Sequence, residues 1–126
     1  MPLVRIDLRR GTSDEFRSTL GDVVYESMVS IANVPAGDRF IVVSEHEPTN
    51  LQIDAHYFVE RTEQALIIEI VFNQGRSVET KKALYKAIVN GLWDRLQVRP
   101  EDVVISLVEV AKENWSFGSG EMQYAS

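Results

Sequence analysis

The sequence predicts an α+β fold: two pseudo-symmetric β-α-β units forming a four-stranded mixed sheet with two helices on one face. Three observations predict it. First, the chain repeats itself at a fixed offset of 64 residues. Gly11-Thr12-Ser13-Asp14-Glu15 returns as Gly75-Arg76-Ser77-Val78-Glu79. The same offset carries Ile6 onto Ile70, Leu20 onto Leu84, Val34 onto Val98, Asp38 onto Asp102, Ile41 onto Ile105 and Glu45 onto Glu109, with no gap. Self-similarity in one register is the mark of duplicated supersecondary units. Second, each half reads as strand, helix, strand. Third, 126 residues suit one domain, here residues 1–126 divided by the repeat at roughly 1–62 and 63–126.

The elements follow in order. Leu3–Leu8 is an apolar strand that begins directly after Pro2. Gly11-Thr12-Ser13 is a turn, and Thr12 with Glu15 forms a capping-box pattern that opens a helix. Phe16, Leu20, Val23, Val24, Met28 and Ile31, three and four residues apart, give that helix one apolar stripe. Val34-Pro35-Ala36-Gly37 ends it, and Phe40–Val43 is the next strand. In the second half Leu66–Phe72 is a strand and Ser77 an N-cap. Leu84, Ile88, Leu92 and Leu96 mark the helix, Val98-Arg99-Pro100 breaks it, and Val103–Val108 is the last strand. Gly21 and Gly91 lie mid-helix at a cost of about 1 kcal/mol each relative to Ala, which close helix–sheet packing explains. Both helices cover one sheet face. The runs 66–72 and 103–108 are apolar enough that the other face should be buried against copies of the same chain.

Composition narrows the function. The hydrophobic fraction of 44% and charged fraction of 25% are those of an ordinary soluble protein. With no Cys there is no disulfide or thiolate chemistry. Arg5, Asp7, Arg9 and Arg10 interrupt any candidate signal peptide, and no apolar run reaches the ~20 residues of a membrane helix. Cytoplasmic residence is the default expectation. A net charge of −6 argues against nucleic acid as a partner. The irregular segment from Glu45 to Glu63 holds His46 and His56, but their spacing matches no metal-ligand signature, so neither a metal nor a cofactor is expected.

The chemistry-bearing residue is Pro2. Once Met1 is removed, its nitrogen is a secondary amine, and an α-amino group titrates at about 7.7–8.0. Such an amine serves as base, acid or nucleophile near neutral pH, and a strand beginning at once holds it in place, where most termini fray. Arg76 opens the second helix, so a carboxylate there would meet both a guanidinium fork and free backbone N–H groups. Its repeat position is Thr12, so the turn itself does not demand arginine. Asp38 differs in this respect, because Asp102 occupies its repeat position and an aspartate there serves the turn in both halves.

These residues resemble the tautomerase superfamily, whose members use an amino-terminal proline. The Pro2-led strand, the Gly75-Arg76-Ser77 turn and Trp115-Ser116-Phe117-Gly118 carry the likeness, which spans essentially the whole chain. The chain looks like two fused 4-oxalocrotonate tautomerase units. It is closer still to the malonate semialdehyde decarboxylase group, through Val34-Pro35-Ala36-Gly37-Asp38-Arg39, Arg76-Ser77 and Asn114-Trp115-Ser116-Phe117-Gly118. The resemblance implies a homotrimer. It implies Pro2 as the catalytic amine, Asp38 as its assistant or the activator of water, Arg76 as the carboxylate anchor, and Trp115 and Phe117 as the hydrophobic wall. The decarboxylase group uses two arginines separated by one residue, whereas the matching positions here are Gln74 and Arg76. The missing arginine weighs against decarboxylation. The reading is therefore an amino-terminal-proline enzyme acting on a small oxo or enol carboxylate, foremost a keto–enol tautomerase. The alternatives are a decarboxylase or hydratase-type lyase and a non-catalytic trimeric binding module.

Overall fold

A computed structural model describes residues 2–124; Met1, Ala125 and Ser126 lie outside the described residues. The strands are β1 (Leu3–Arg9), β2 (Ile41–His46), β3 (Leu66–Asn73) and β4 (Val103–Val110), and the helices are α1 (Asp14–Ile31) and α2 (Val78–Leu96). The strand order is β2-β1-β3-β4. β1 runs parallel to β2 and antiparallel to β3, and β3 runs parallel to β4. Each β-α-β unit thus supplies one parallel pair, and the two units meet along the central antiparallel pair.

The core lies between the sheet and the helices. Val4, Ile6 and Leu8 of β1 and Ile68, Ile70 and Phe72 of β3 point toward Leu20, Val24 and Met28 of α1 and Leu84, Ile88 and Leu92 of α2, and all are buried. Alternation along the strands and three- to four-residue spacing along the helices produce this. Each such side chain contributes about 1.5–3 kcal/mol of burial. The repeat reaches the helix ends: Ser13 and Ser77 are the N-caps, accepting from Phe16 N–H at 3.0 Å and Thr80 N–H at 3.1 Å. Asn33 and Gln97, after the two helices, both take left-handed backbone, with φ of 57° and 54°.

Several details depart from the sequence reading. Ser13, not Thr12, caps α1, because the Thr12 hydroxyl is donated to Glu45 Oε2 at 2.6 Å. β2 begins at Ile41 and extends to His46, since pairing continues along β1 as far as Arg9; Phe40 stays outside the strand. Gly91 permits helix–helix rather than helix–sheet packing. A Cβ there would lie 2.7 Å from Val23 Cγ1 of α1, whereas one on Gly21 would meet Arg39 and Ile41. Asp102 does not serve its own turn. Its buried carboxylate accepts Thr62 N–H at 2.8 Å and Thr62 Oγ1–H at 2.6 Å, fixing the chain as it approaches β3.

The outward sheet face is less apolar than the strand runs suggest. Alternation turns Leu3, Val42, Ile67, Val71 and Val108 outward, but also Arg5, Asp7, Glu69 and Ser106. Arg5 stands opposite Glu69 in the ladder. His46 pairs with Asp7 at 2.6 Å, and His56 with Glu60 at 2.7 Å. Among the described residues no group of three or more His, Cys, Asp or Glu could hold a metal ion, and no helix is long and apolar enough to cross a membrane.

Candidate active site

A cavity of about 200 Å³ opens at the N-terminal end of β1, lined by Pro2, Leu3, Phe40, Trp115, Ser116 and Phe117. Each lining residue has a backbone reason to be there. Pro2 is buried where β1 starts. Phe40 immediately precedes β2, and its carbonyl accepts Val4 N–H at 2.9 Å, which brings its ring beside the first residues of β1. After β4 a single 3-10 turn at Lys112–Asn114 reverses the chain and returns 115–117 over the same end of the sheet.

The aromatic wall is built by stacking. Trp115 and Phe117 lie nearly parallel, with ring centroids 5.5 Å apart, and Phe40 is 6.4 Å from Phe117. Tyr124 meets Phe117 edge-on at 5.2 Å. Such contacts add about 0.5–1.5 kcal/mol each beyond the area they bury. The tail is closed by Gln123, whose Oε1 accepts Phe117 N–H at 3.0 Å and whose Nε2–H is donated to the Gly118 carbonyl at 3.1 Å.

Asn73 links this wall to Arg76. Its Oδ1 accepts the Trp115 indole N–H at 2.8 Å, and its carbonyl accepts Arg76 Nη1–H at 3.0 Å. The antiparallel register, Leu3 opposite Val71, brings the end of β3 to the start of β1. Arg76 Nε–H is donated to the Ala32 carbonyl at 2.9 Å, and the guanidinium lies 4.4 Å above the Phe72 ring. Ala32 is the C-cap of α1, so the cation also sits at the negative end of that helix. Partial burial lowers the Arg76 pKa, and the neighbouring Glu109 opposes that shift. Glu109 is held below the usual glutamate range chiefly by its hydrogen bond from Lys81 Nζ at 2.7 Å.

The structure brings Pro2, Trp115 and Phe117 onto one cavity and joins Arg76 to it through Asn73. Asp38 sits at the same end of the sheet, two residues before Phe40, with its N–H on the Pro35 carbonyl at 3.1 Å. It does not line the cavity. Nor does Gln74, an exposed residue whose N–H continues the β3–β4 ladder to the Val110 carbonyl at 3.0 Å. Met1, whose removal the amine chemistry requires, is outside the described residues. Phe40 and Asn73 were not singled out by sequence reasoning. Nothing local marks either: Phe40 reaches Pro2 only through the β1–β2 pairing, and Asn73 reaches Trp115 only after β4.

A buried proline leading β1, an aromatic cavity above it and an arginine opening the second helix define the class of proline-led β-α-β enzymes. Residues 38–118 match a family model described as Tautomerase enzyme, and residues 2–61 match a second with the same description. The chain belongs to the tautomerase family and is an enzyme of that family. It is 40% identical over 124 residues to the probable tautomerase YusQ of Bacillus subtilis (strain 168), covering 98% of each chain. Its fold matches FG41 malonate semialdehyde decarboxylase inhibited by 3-bromopropiolate, with a TM-score of 0.89 and 36% identity over 97% of this chain and 93% of that one. A fused 4-OT protein, solved as a symmetric trimer, shares the fold at a TM-score of 0.78 and 17% identity, covering 94% of each chain.

Proposed function

We propose that this chain is an amino-terminal-proline keto–enol tautomerase of small oxo and enol carboxylates, with Pro2 and Asp38 as catalytic residues and Arg76, Gln74, Trp115 and Phe117 as substrate-binding residues. The observation that carries the reading is the buried Pro2 at an aromatic cavity whose wall is hydrogen-bonded, through Asn73, to the loop that holds Arg76. With Met1 removed, the neutral Pro2 amine takes a proton from the enol oxygen or from the carbon beside the carbonyl. The cation so formed returns a proton to the other position, and no other atom is exchanged. Desolvation by the surrounding rings favours the neutral amine, and a nearby carboxylate such as Asp38 favours the cation. Arg76 spends Nε and Nη1 on carbonyls, while its Nη2 makes no hydrogen bond among the described residues. That amino group is the donor for a substrate carboxylate. Trp115 and Phe117 hold the substrate's apolar part and exclude water, which strengthens the pairing.

A cavity of about 200 Å³ is smaller than the ~300–1,000 Å³ of typical small-molecule sites. Assembly as a homotrimer through the outward sheet face, where Leu3 and Val71 face each other, would add a wall to it. A second reading, decarboxylation or hydration of a 3-oxo or acetylenic acid, is favoured by the 36% identity to a malonate semialdehyde decarboxylase. Gln74 in place of an arginine opposes it, because a neutral amide is a weaker electrostatic partner for a carboxylate.

The test is direct. Intact mass should give a chain lacking Met1. Pro2→Ala should reduce ketonisation of phenylenolpyruvate by about 10²-fold or more while leaving the oligomer unchanged. Unaltered turnover would remove the amine from the mechanism. Turnover of malonate semialdehyde faster than of the enol would move the assignment to the lyase reading.

A further inference from the structure

The cavity at Pro2 is one of several among the described residues. A cavity of about 380 Å³ lies at the opposite end of the central strands, among the end of β1, the start of β3 and the end of α2. The 64-residue offset relates the two places. Leu66 stands where Pro2 stands in the first unit, Asp102 where Asp38 does, Thr12 where Arg76 does, and Gln97 where Asn33 does; all four line this second cavity. Of the four first-unit counterparts only Pro2 lines the first cavity, so this cavity occupies the equivalent end of the second unit with a lining of its own. Leu66 nitrogen is a mid-chain amide, so this place has no titratable amine.

The cations have also changed place. Arg9 and Arg99 line the cavity, at the repeat positions of Asn73 and Pro35. Their acidic neighbours hold them loosely: Arg9 lies 3.4 Å from Glu63, and Arg99 lies 3.5 Å from Asp102 and 3.8 Å from Glu101. Charge-assisted hydrogen bonds close to about 2.7–2.9 Å, so neither guanidinium fork is satisfied by these contacts. Asp102 does not need Arg99, because Thr62 already supplies it with two short hydrogen bonds. The rest of the lining is largely apolar, with Phe16 and Leu96 prominent. An apolar cavity of this volume with a few convergent polar groups is the general form of a small-molecule site.

We propose that this cavity is a second, non-catalytic binding site for a small monocarboxylic acid with an apolar body, its carboxylate held by Arg9 and Arg99 and its body against Phe16 and Leu96. The inference stands on the repeat and the cavity and is independent of the chemistry at Pro2.

The experiment is a titration of the ¹⁵N-labelled full chain with phenylacetate, followed by amide chemical shifts. Thr12, Gln64, Gln97 and Arg99 should shift along one saturating curve, distinct from any curve at Ser116 and Phe117. Phenylacetamide, isosteric but uncharged, should bind at least tenfold more weakly at those residues. Arg99→Glu should weaken phenylacetate there at least tenfold without altering the response at Phe117. Because Arg99→Glu adds a charge near buried Asp102, Gln64→Trp provides a second variant: it fills the mouth from an exposed position and should abolish the shifts. Absence of saturable shifts at these four residues, equal binding of the amide, or indifference of binding to both variants overturns the proposal.

Discussion

Replacing Arg76 separates what the guanidinium does for the fold from what it does for a substrate. Its Nε bonds the Ala32 carbonyl at 2.9 Å and its Nη1 the Asn73 carbonyl at 3.0 Å, over the face of Phe72. Ala32 is buried, so Arg76→Ala leaves the carbonyl at the end of α1 without its donor. An orphaned buried acceptor costs about 1–3 kcal/mol, and the lost cation–π contact about 0.5–1 kcal/mol. Arg76 is half-buried, so solvent restores part of this, and a net loss of about 2 kcal/mol is expected. For a chain of this size that corresponds to a fall in Tm of about 6–10 °C. Arg76→Lys keeps the charge but not the fork and should lose about half as much. Thermal and urea unfolding of the three proteins at one fixed protomer concentration measures the structural part. The KM for phenylenolpyruvate measures the other part, which should rise for Arg76→Ala with a smaller change in kcat. A Tm within 1 °C of the parent for Arg76→Ala would refute the reasoning, because it would mean the guanidinium bonds neither carbonyl.

Other outcomes follow from the same geometry. Gly91→Ala sets a Cβ 2.7 Å from Val23 Cγ1; overpacking of about 1–3 kcal/mol outweighs the ~1 kcal/mol gain in helix propensity, so urea unfolding should record a net loss. In a Val23→Ala background the same substitution should become stabilising, and a loss persisting there would place the strain elsewhere. Trp115→Phe keeps the stack on Phe117 but removes the 2.8 Å bond to Asn73. A double-mutant cycle with Asn73→Ala should give a coupling of about 1 kcal/mol, and KM should rise more than kcat falls. The Glu45 carboxyl is held low chiefly by the Thr12 hydroxyl, with the Thr12 N–H next, and Glu109 chiefly by Lys81. Depressed carboxyls stabilise the folded state fully above the unfolded glutamate value of about 4.3, and the contribution is lost as pH falls through their folded values. Glu45→Gln with Glu109→Gln should therefore flatten the acid limb of a Tm–pH curve; an unchanged limb would assign acid unfolding to other carboxyls.

The features legible in the sequence are those with a local signature. Ser77 as a cap, the helical stripes, the four strands and the placement of Trp115 and Phe117 beside Pro2 could be read from periodicity, turn chemistry and resemblance. The misread features involve partners distant in sequence. Thr12 fits a capping box until Glu45, 33 residues away, takes its hydroxyl. Gly91 looks like a site of contact with the sheet until α1 presents Val23. Asn73 carries no local mark, because its role depends on an indole 42 residues further on. Arg76 turns two of its nitrogens to backbone carbonyls, one of them 44 residues away at the C-cap of α1, and no local pattern shows that. Asp102 shares a repeat position with Asp38, but its partner Thr62 is reached only when the chain folds back after α2 to begin β4 beside β3. In each case a side-chain hydrogen bond or steric contact between remote segments decided the outcome, and neither propensity nor spacing encodes these.

The antiparallel meeting of β1 and β3 sets the two β-α-β units head to tail. The proline and its twin position, Leu66, consequently occupy opposite rims of the sheet. A seven-residue strand at about 3.4 Å per residue separates them by more than 20 Å, well beyond the ~8 Å over which physiological salt lets exposed charges sense one another. Charges altered on one rim are thereby muted at the other.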